Sequence, residues 1–110
     1  ELENKITGLA YRIPIVNGSL IDLTVRFKKD TNYQEIIDTI KKNNVNNTIM
    51  VNDDPIVSSD IIGTKYSCIV DGQAGIELNK NFFKIIAWYD NESGYTNRLI
   101  DIIMFILGLK

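Results

Sequence analysis

With 110 residues, the chain can form one hydrophobic core and is too short for two domains. A net charge of −2 and an isoelectric point near 5.0 exclude a broad basic surface for nucleic acid. No apolar run approaches about 20 uncharged residues and no signal-peptide pattern begins the chain, so neither a membrane span nor secretion is expected. The single cysteine cannot form an internal disulfide, which fits a reducing cytoplasm. Histidine is absent, so a Cys/His pair, a Ser/His/Asp triad and a histidine zinc site are excluded within these residues.

The first quarter of the chain predicts an antiparallel hairpin. Residues 6–15 read as a strand, because the apolar side chains from Leu9 to Ile15 fall at every second position, as in a strand with one buried face. Asn17-Gly18 is a preferred pair for a two-residue type I′ turn. Residues 20–28 then alternate strictly and predict the second strand, with four side chains directed inward: Ile21, Leu23, Val25 and Phe27.

The middle of the chain predicts one helix and several short strands. Thr31 and Gln34 form a capping-box pattern at the start of a helix whose apolar stripe contains Ile36, Ile37 and Ile40. After a polar loop, short strands are expected at residues 48–51, 65–71 and 76–78. The glycine-containing stretch 71–75 is expected to be a turn between the last two.

The end of the chain predicts a buried strand, a polar joint and an apolar helix. Residues 82–89 are apolar on both faces apart from Lys84, which indicates a central strand. The helix is expected from about Glu92 to Leu107, and Gly108 ends it. The predicted order is β-β-α-β-β-β-α, an α+β fold with a largely antiparallel sheet and helices packed on one face.

Three kinds of side chain in this pattern could carry chemistry. Arg12 shares a strand face with small residues and could grip a phosphate or form a surface salt bridge. Asn91 could cap the last helix or offer its amide to a ligand, and Tyr95 could pack or line a site. Cys68 falls at an alternating strand position with no clear activating base, so it is interpreted as a small core residue. No Gly-x-Gly-x-x-Gly fingerprint follows a strand in this sequence.

The joint before the last helix contains the most specific motif in the chain. Residues 88–98 (WYDNESGYTNR) closely resemble the C-terminal signature of the phosphorylating glyceraldehyde-3-phosphate dehydrogenases. The resemblance continues, in the family's order, at residues 5–14 (KITGLAYRIP), 19–24 (SLIDLT), 57–60 (VSSD) and 74–79 (AGIELN). It covers nearly the whole chain, which resembles only the last third of such an enzyme.

The resemblance implies an activity and a place for this segment within it. In the family, a cysteine attacks the aldehyde, a histidine accepts the proton and hydride passes to NAD, so that glyceraldehyde 3-phosphate and inorganic phosphate yield an acyl phosphate. The arginine matching Arg12 holds the substrate's terminal phosphate, the asparagine matching Asn91 binds the nicotinamide carboxamide, and the tyrosine matching Tyr95 lies beside that ring. Neither the nucleophile nor the base belongs to this part of the family's sequence, so no catalytic residue and no metal site are expected here. Whole enzymes of the family are cytoplasmic homotetramers of glycolysis.

Residues 1–110 are therefore expected to be the C-terminal half of such a catalytic domain, without its nucleotide-binding domain or its catalytic Cys/His segment. Two departures from the family's pattern affect the walls of the expected site: Ile15 stands where threonine is usual, and Ser93 where an aromatic residue is frequent. Three alternatives remain: the corresponding segment of an erythrose-4-phosphate dehydrogenase, a non-catalytic binding or assembly fragment, and a small regulatory domain that binds an anion at Arg12. The isolated chain is expected to have no dehydrogenase activity.

Overall fold

The computed structural model describes residues 2–109, which form an α+β fold as predicted. A four-stranded sheet has the strand order β1-β4-β3-β2, and two longer helices accompany it. The strands and helices are β1 (Ser19–Arg26), α1 (Tyr33–Lys42), β2 (Ile49–Asn52), β3 (Cys68–Asn79), β4 (Phe82–Tyr89) and α2 (Ser93–Ile106). Short 3-10 turns cover Val45–Asn47 and Ser58–Ile61. Neither helix combines the length and the apolar content needed to span a membrane within residues 2–109.

The sheet is mixed rather than purely antiparallel. β4 pairs antiparallel with both β1 and β3, and it is the central strand that its apolar pattern predicted. β2 runs parallel to β3, because the connection through Ser58–Ile61 returns the chain to the same end of the sheet. The two short strands expected at residues 65–71 and 76–78 are one strand, β3, with an irregular register between Asp71 and Ile76 at the glycine-containing stretch.

The predicted first strand is wrong: residues 6–15 form no regular structure, and their side chains are exposed. The predicted turn fails for a conformational reason. A type I′ turn needs positive φ at both central residues, whereas Gly18 has φ of 91° and Asn17 does not have a positive φ. Alternation shows only that a segment suits a strand, and without the turn no ladder forms between residues 6–15 and β1.

The first helix begins one residue later than its predicted cap. Asn32 Oδ1 accepts a hydrogen bond from the Glu35 backbone N–H at 2.9 Å, so Asn32 is the N-cap. Thr31 instead donates its hydroxyl to the Glu35 carboxylate at 2.6 Å. The helix packs on β2 and β3, where Ile37 is buried.

The sheet and α2 both leave apolar surface uncovered. Ile21 and Leu23, expected to face a core, are each 48% exposed, because α1 lies over the β2–β3 half of the sheet. A groove of about 660 Å³ remains beside α1, with Phe27, Ile36 and Ile85 in its lining. Helix α2 extends from Ser93 to Ile106 much as predicted, and most of its apolar side chains are exposed: Leu99, Ile100, Ile102, Ile103, Phe105 and Ile106.

Candidate functional site

The joint between β4 and α2 is organised by the carboxylate of Asp90. The side chain is only 3% exposed. Its Oδ1 accepts the backbone N–H groups of Glu92 at 2.9 Å and Ser93 at 3.0 Å, so it caps the start of α2. Its Oδ2 accepts the backbone N–H of Gly63 at 2.8 Å, and the Asn17 side chain also donates a hydrogen bond to the carboxylate. Hydrogen bonds from Gly63 and Ser93 are the main reason that the pKa of Asp90 lies below its ordinary value.

Asp90 was not among the residues predicted from sequence to matter at this site, although a signal for it exists. An aspartate at the start of a helix is a standard cap, because its side-chain oxygen accepts backbone N–H groups two and three residues later, here those of Glu92 and Ser93. The sequence interpretation assigned that capping possibility to the next residue, Asn91. In the structure the Asp90 side chain caps α2, so the exposed side chain of Asn91 is not needed as the cap.

Two of the three predicted site residues lie at the same end of α2. Asn91 is exposed in the turn after Asp90, and Tyr95, in the first turn of the helix, is 65% exposed. Arg12 lies in the irregular segment that precedes β1, is exposed, and makes no ion pair within residues 2–109. The side chains of Asn91 and Tyr95 are not packed in a core, so both are accessible to a ligand. The binding roles of Arg12, Asn91 and Tyr95 stay predictions.

The first turns of α2 are held against the chain just before β3. Gly94 is buried, and a Cβ on it would stand 2.7 Å from the carbonyl oxygen of Tyr66, so glycine permits this close approach. One turn later, Arg98 Nη1 donates to Ser67 Oγ at 2.9 Å, and its Nε donates to Asp101 Oδ2 at 2.9 Å. These contacts set the position of the helix end that carries Tyr95.

The remaining candidates for chemistry are structural. Cys68 begins β3 as a free thiol, and burial raises its pKa, which disfavours the reactive thiolate. Asp71 is buried, and its carboxylate accepts the backbone N–H of Ala74 at 3.1 Å and the indole N–H of Trp88 at 3.2 Å. Among residues 2–109, no three cysteine or carboxylate side chains lie close enough to hold a metal ion.

Comparison with known proteins agrees with the motif in the joint. Residues 1–91 match the family model described as glyceraldehyde 3-phosphate dehydrogenase, C-terminal domain. The glyceraldehyde-3-phosphate dehydrogenase of Chlamydia muridarum is 42% identical over 111 residues, which cover 98% of this chain and 33% of that protein. Those of Chlamydia pneumoniae and Trichoderma koningii are each 45% identical over 109 residues, which cover 96% of this chain and 32% of each protein. The chain thus spans about a third of the length of these relatives. It belongs to the glyceraldehyde-3-phosphate dehydrogenase family and corresponds to the C-terminal part of its members.

Proposed function

We propose that residues 1–110 are the C-terminal half of the catalytic domain of an NAD-dependent, phosphorylating glyceraldehyde-3-phosphate dehydrogenase. In this proposal Arg12 binds the phosphate of glyceraldehyde 3-phosphate, and Asn91 and Tyr95 position the nicotinamide of NAD. The nucleotide-binding domain and the cysteine and histidine of the reaction are supplied by other parts of a cytoplasmic, homotetrameric glycolytic enzyme. NAD supplies the hydride acceptor when bound, and inorganic phosphate is the second substrate.

The proposal rests mainly on Asn91, which lies in a segment that matches the family and combines a fixed backbone with an exposed side chain. Its backbone is bracketed by the hydrogen bonds of Asp90, while its side chain is exposed at the N-terminus of α2. An amide can donate and accept at once, which suits a carboxamide partner. Tyr95 stands one turn further along with most of its ring exposed, so the same helix end offers an apolar surface. Both side chains therefore suit the group that the family binds.

Arg12 supports the proposed substrate binding because it is positively charged and forms no ion pair within residues 2–109. An arginine without an ion pair keeps all its guanidinium donors for an incoming anion, and a phosphate accepts two of them in parallel. Residues 6–15, which carry it, are exposed and irregular in the chain by itself. In a complete subunit we expect this segment to adopt its strand beside the rest of the domain.

The decisive experiment grafts this chain into a complete enzyme. In the Chlamydia muridarum dehydrogenase, the segment that matches this chain is replaced by residues 1–110. The chimera should form NADH from glyceraldehyde 3-phosphate, NAD and phosphate, and the isolated chain should form none because it contains no histidine and no activated thiol.

Variants of the chimera test the assigned roles. Arg12→Ala should lower kcat/KM for glyceraldehyde 3-phosphate, a loss equivalent to about 2–4 kcal/mol of transition-state stabilisation, since a charged contact to phosphate is removed. NAD binding should be unchanged. Arg26→Ala is the matched control, because it also removes an exposed arginine, one that lies over the Phe82 ring at 4.9 Å. Asn91→Ala should weaken NAD binding instead. Equal kcat/KM in Arg12→Ala and the control would refute the phosphate assignment, and an inactive but folded chimera would refute the proposed function.

A further inference from the structure

The carboxylate of Asp90 joins three separate stretches of the chain. It receives backbone N–H groups from the loop before β3, at Gly63, and from the start of α2, at Glu92 and Ser93. It also accepts a hydrogen bond from the side chain of Asn17, which lies just before β1. The backbone carbonyl of the same residue accepts the N–H of Gly94 at 2.9 Å. Four donors on one buried carboxylate are more than capping a helix requires.

This arrangement places Asn91 between two fixed points. The residue before it is buried and anchored, and the N–H groups of the two residues after it point back to the Asp90 carboxylate. The Asn91 backbone therefore cannot shift without breaking these bonds, although its own exposed side chain is not held by packing. A ligand-binding group with no packing of its own depends on its supporting residues for precision.

The same carboxylate reaches the segment that carries Arg12. Asn17 ends that segment, and its Oδ1 also accepts the Gly18 N–H at 2.7 Å. A Cβ on Gly18 would stand 2.9 Å from the Ile61 side chain, so the chain is closely packed at this point. Residues 6–16 before it are exposed, which makes the Asn17–Asp90 hydrogen bond the first anchored point after Arg12.

We propose that Asp90 is a positioning residue that holds Asn91 in its cofactor-binding geometry and ties it to the segment carrying Arg12; this rests on the proposed function. Its negative charge is required because every group that faces it donates. In Asp90→Asn, one carboxylate oxygen becomes an amide N–H₂ that must face N–H donors, so at least one side of the junction loses its acceptor. The shape of the side chain is otherwise kept.

Asp71→Asn is the matched control for this variant. Asp71 is also a buried aspartate, at 5% exposed, and it also accepts backbone N–H groups, those of Gln73 and Ala74. The Asp71 carboxylate accepts hydrogen bonds within the irregular part of β3 and from Trp88, and none from the turn that contains Asn91. Both substitutions should destabilise the protein, so a purely structural role for Asp90 predicts equal consequences for the two.

The test measures NAD binding and the stereochemistry of hydride transfer in the chimeric enzyme. Asp90→Asn should raise the Kd for NAD, measured by titration calorimetry, about 10- to 100-fold, because misplacement of a positioning group costs that much. Asp71→Asn should leave the Kd within about twofold of the unsubstituted chimera. With glyceraldehyde 3-phosphate deuterated at the aldehyde carbon, NMR of the product should show label on both faces of the nicotinamide for Asp90→Asn and on one face for the control.

A second variant keeps the test valid if Asp90→Asn fails to fold. Asn17→Ala removes one of the four donors and should raise the NAD Kd in the same direction, by more than about twofold. Folded variants at both positions that bind NAD as the unsubstituted chimera does would overturn the inference, as would an equal loss in Asp71→Asn. If Asn91→Ala itself leaves NAD binding unchanged, the proposed role of Asn91 has failed; if Asn91→Ala weakens binding and Asp90→Asn does not, only the role of Asp90 has failed.

Discussion

Gly94→Ala tests how closely α2 must approach the chain before β3. The added Cβ would stand 2.7 Å from the carbonyl oxygen of Tyr66, 3.6 Å from its carbonyl carbon and 3.7 Å from the Cα of Ser67. All three atoms are backbone, so no side-chain rotation relieves the contact. A carbon–oxygen contact normally lies at about 3.3 Å or more, so the helix and the segment must separate by roughly 0.6 Å.

The cost of that separation can be set against the gain in helix propensity. Overpacking of this kind costs about 1–3 kcal/mol, and replacing glycine by alanine within a helix returns at most about 1 kcal/mol. The hydrogen bond from Arg98 to Ser67 spans the same interface and should weaken as well. We therefore expect a net loss of about 1–2 kcal/mol, or a fall in Tm of about 5–15 °C for a chain of this size.

Urea denaturation of the isolated chain measures this loss. Gly8→Ala is the control, because a Cβ there has no atom within 4 Å and the residue does not have a positive φ. The control should be neutral or gain up to about 1 kcal/mol through the unfolded state. If Gly94→Ala is as stable as the unsubstituted chain, the helix end is not held at the distance that the structure indicates, and the account of how Tyr95 is placed is wrong.

Three further predictions concern the isolated chain. Because the pKa of Asp90 is below its ordinary 3.8, the ionised carboxylate stabilises the folded chain fully above pH 3.8, and this stabilisation is lost as the pH falls through the folded-state pKa. Urea titrations at several pH values should show that Asp90→Asn removes this acid-dependent loss. An unchanged pH dependence in the variant would contradict the prediction. Because burial raises the pKa of the Cys68 thiol, a disulfide reagent at neutral pH should modify the folded chain more slowly than the urea-unfolded chain, and equal rates would show that the thiol is accessible. The bare apolar side of α2 should cause self-association that sedimentation detects and that polar substitutions at Ile103 and Phe105 reduce, whereas a strictly monomeric chain with α2 protected from hydrogen exchange would refute this.

Local sequence was sufficient for most of the regular elements. The pattern of β4, apolar on both faces apart from Lys84, correctly predicted a strand with a neighbour on each side, and Gly108 correctly predicted the end of α2. Asn91 and Tyr95 were placed at a helix start by the same local reasoning, because a polar stretch between two apolar runs leaves few other arrangements. Such features depend on residues close together in the chain.

What the tertiary structure decided depends on residues far apart. Residues 6–15 have a strand pattern, yet a strand exists only where a neighbour accepts its hydrogen bonds, and no local pattern shows whether that neighbour is in reach. The direction of β2 relative to β3 likewise follows from where the connection between them returns. The contacts of Asp90 became visible only in three dimensions, because its partners Asn17 and Gly63 are 73 and 27 residues away in the sequence. A carboxylate beside a helix start predicts a cap, whereas the burial that joins it to two other segments is a property of the folded chain.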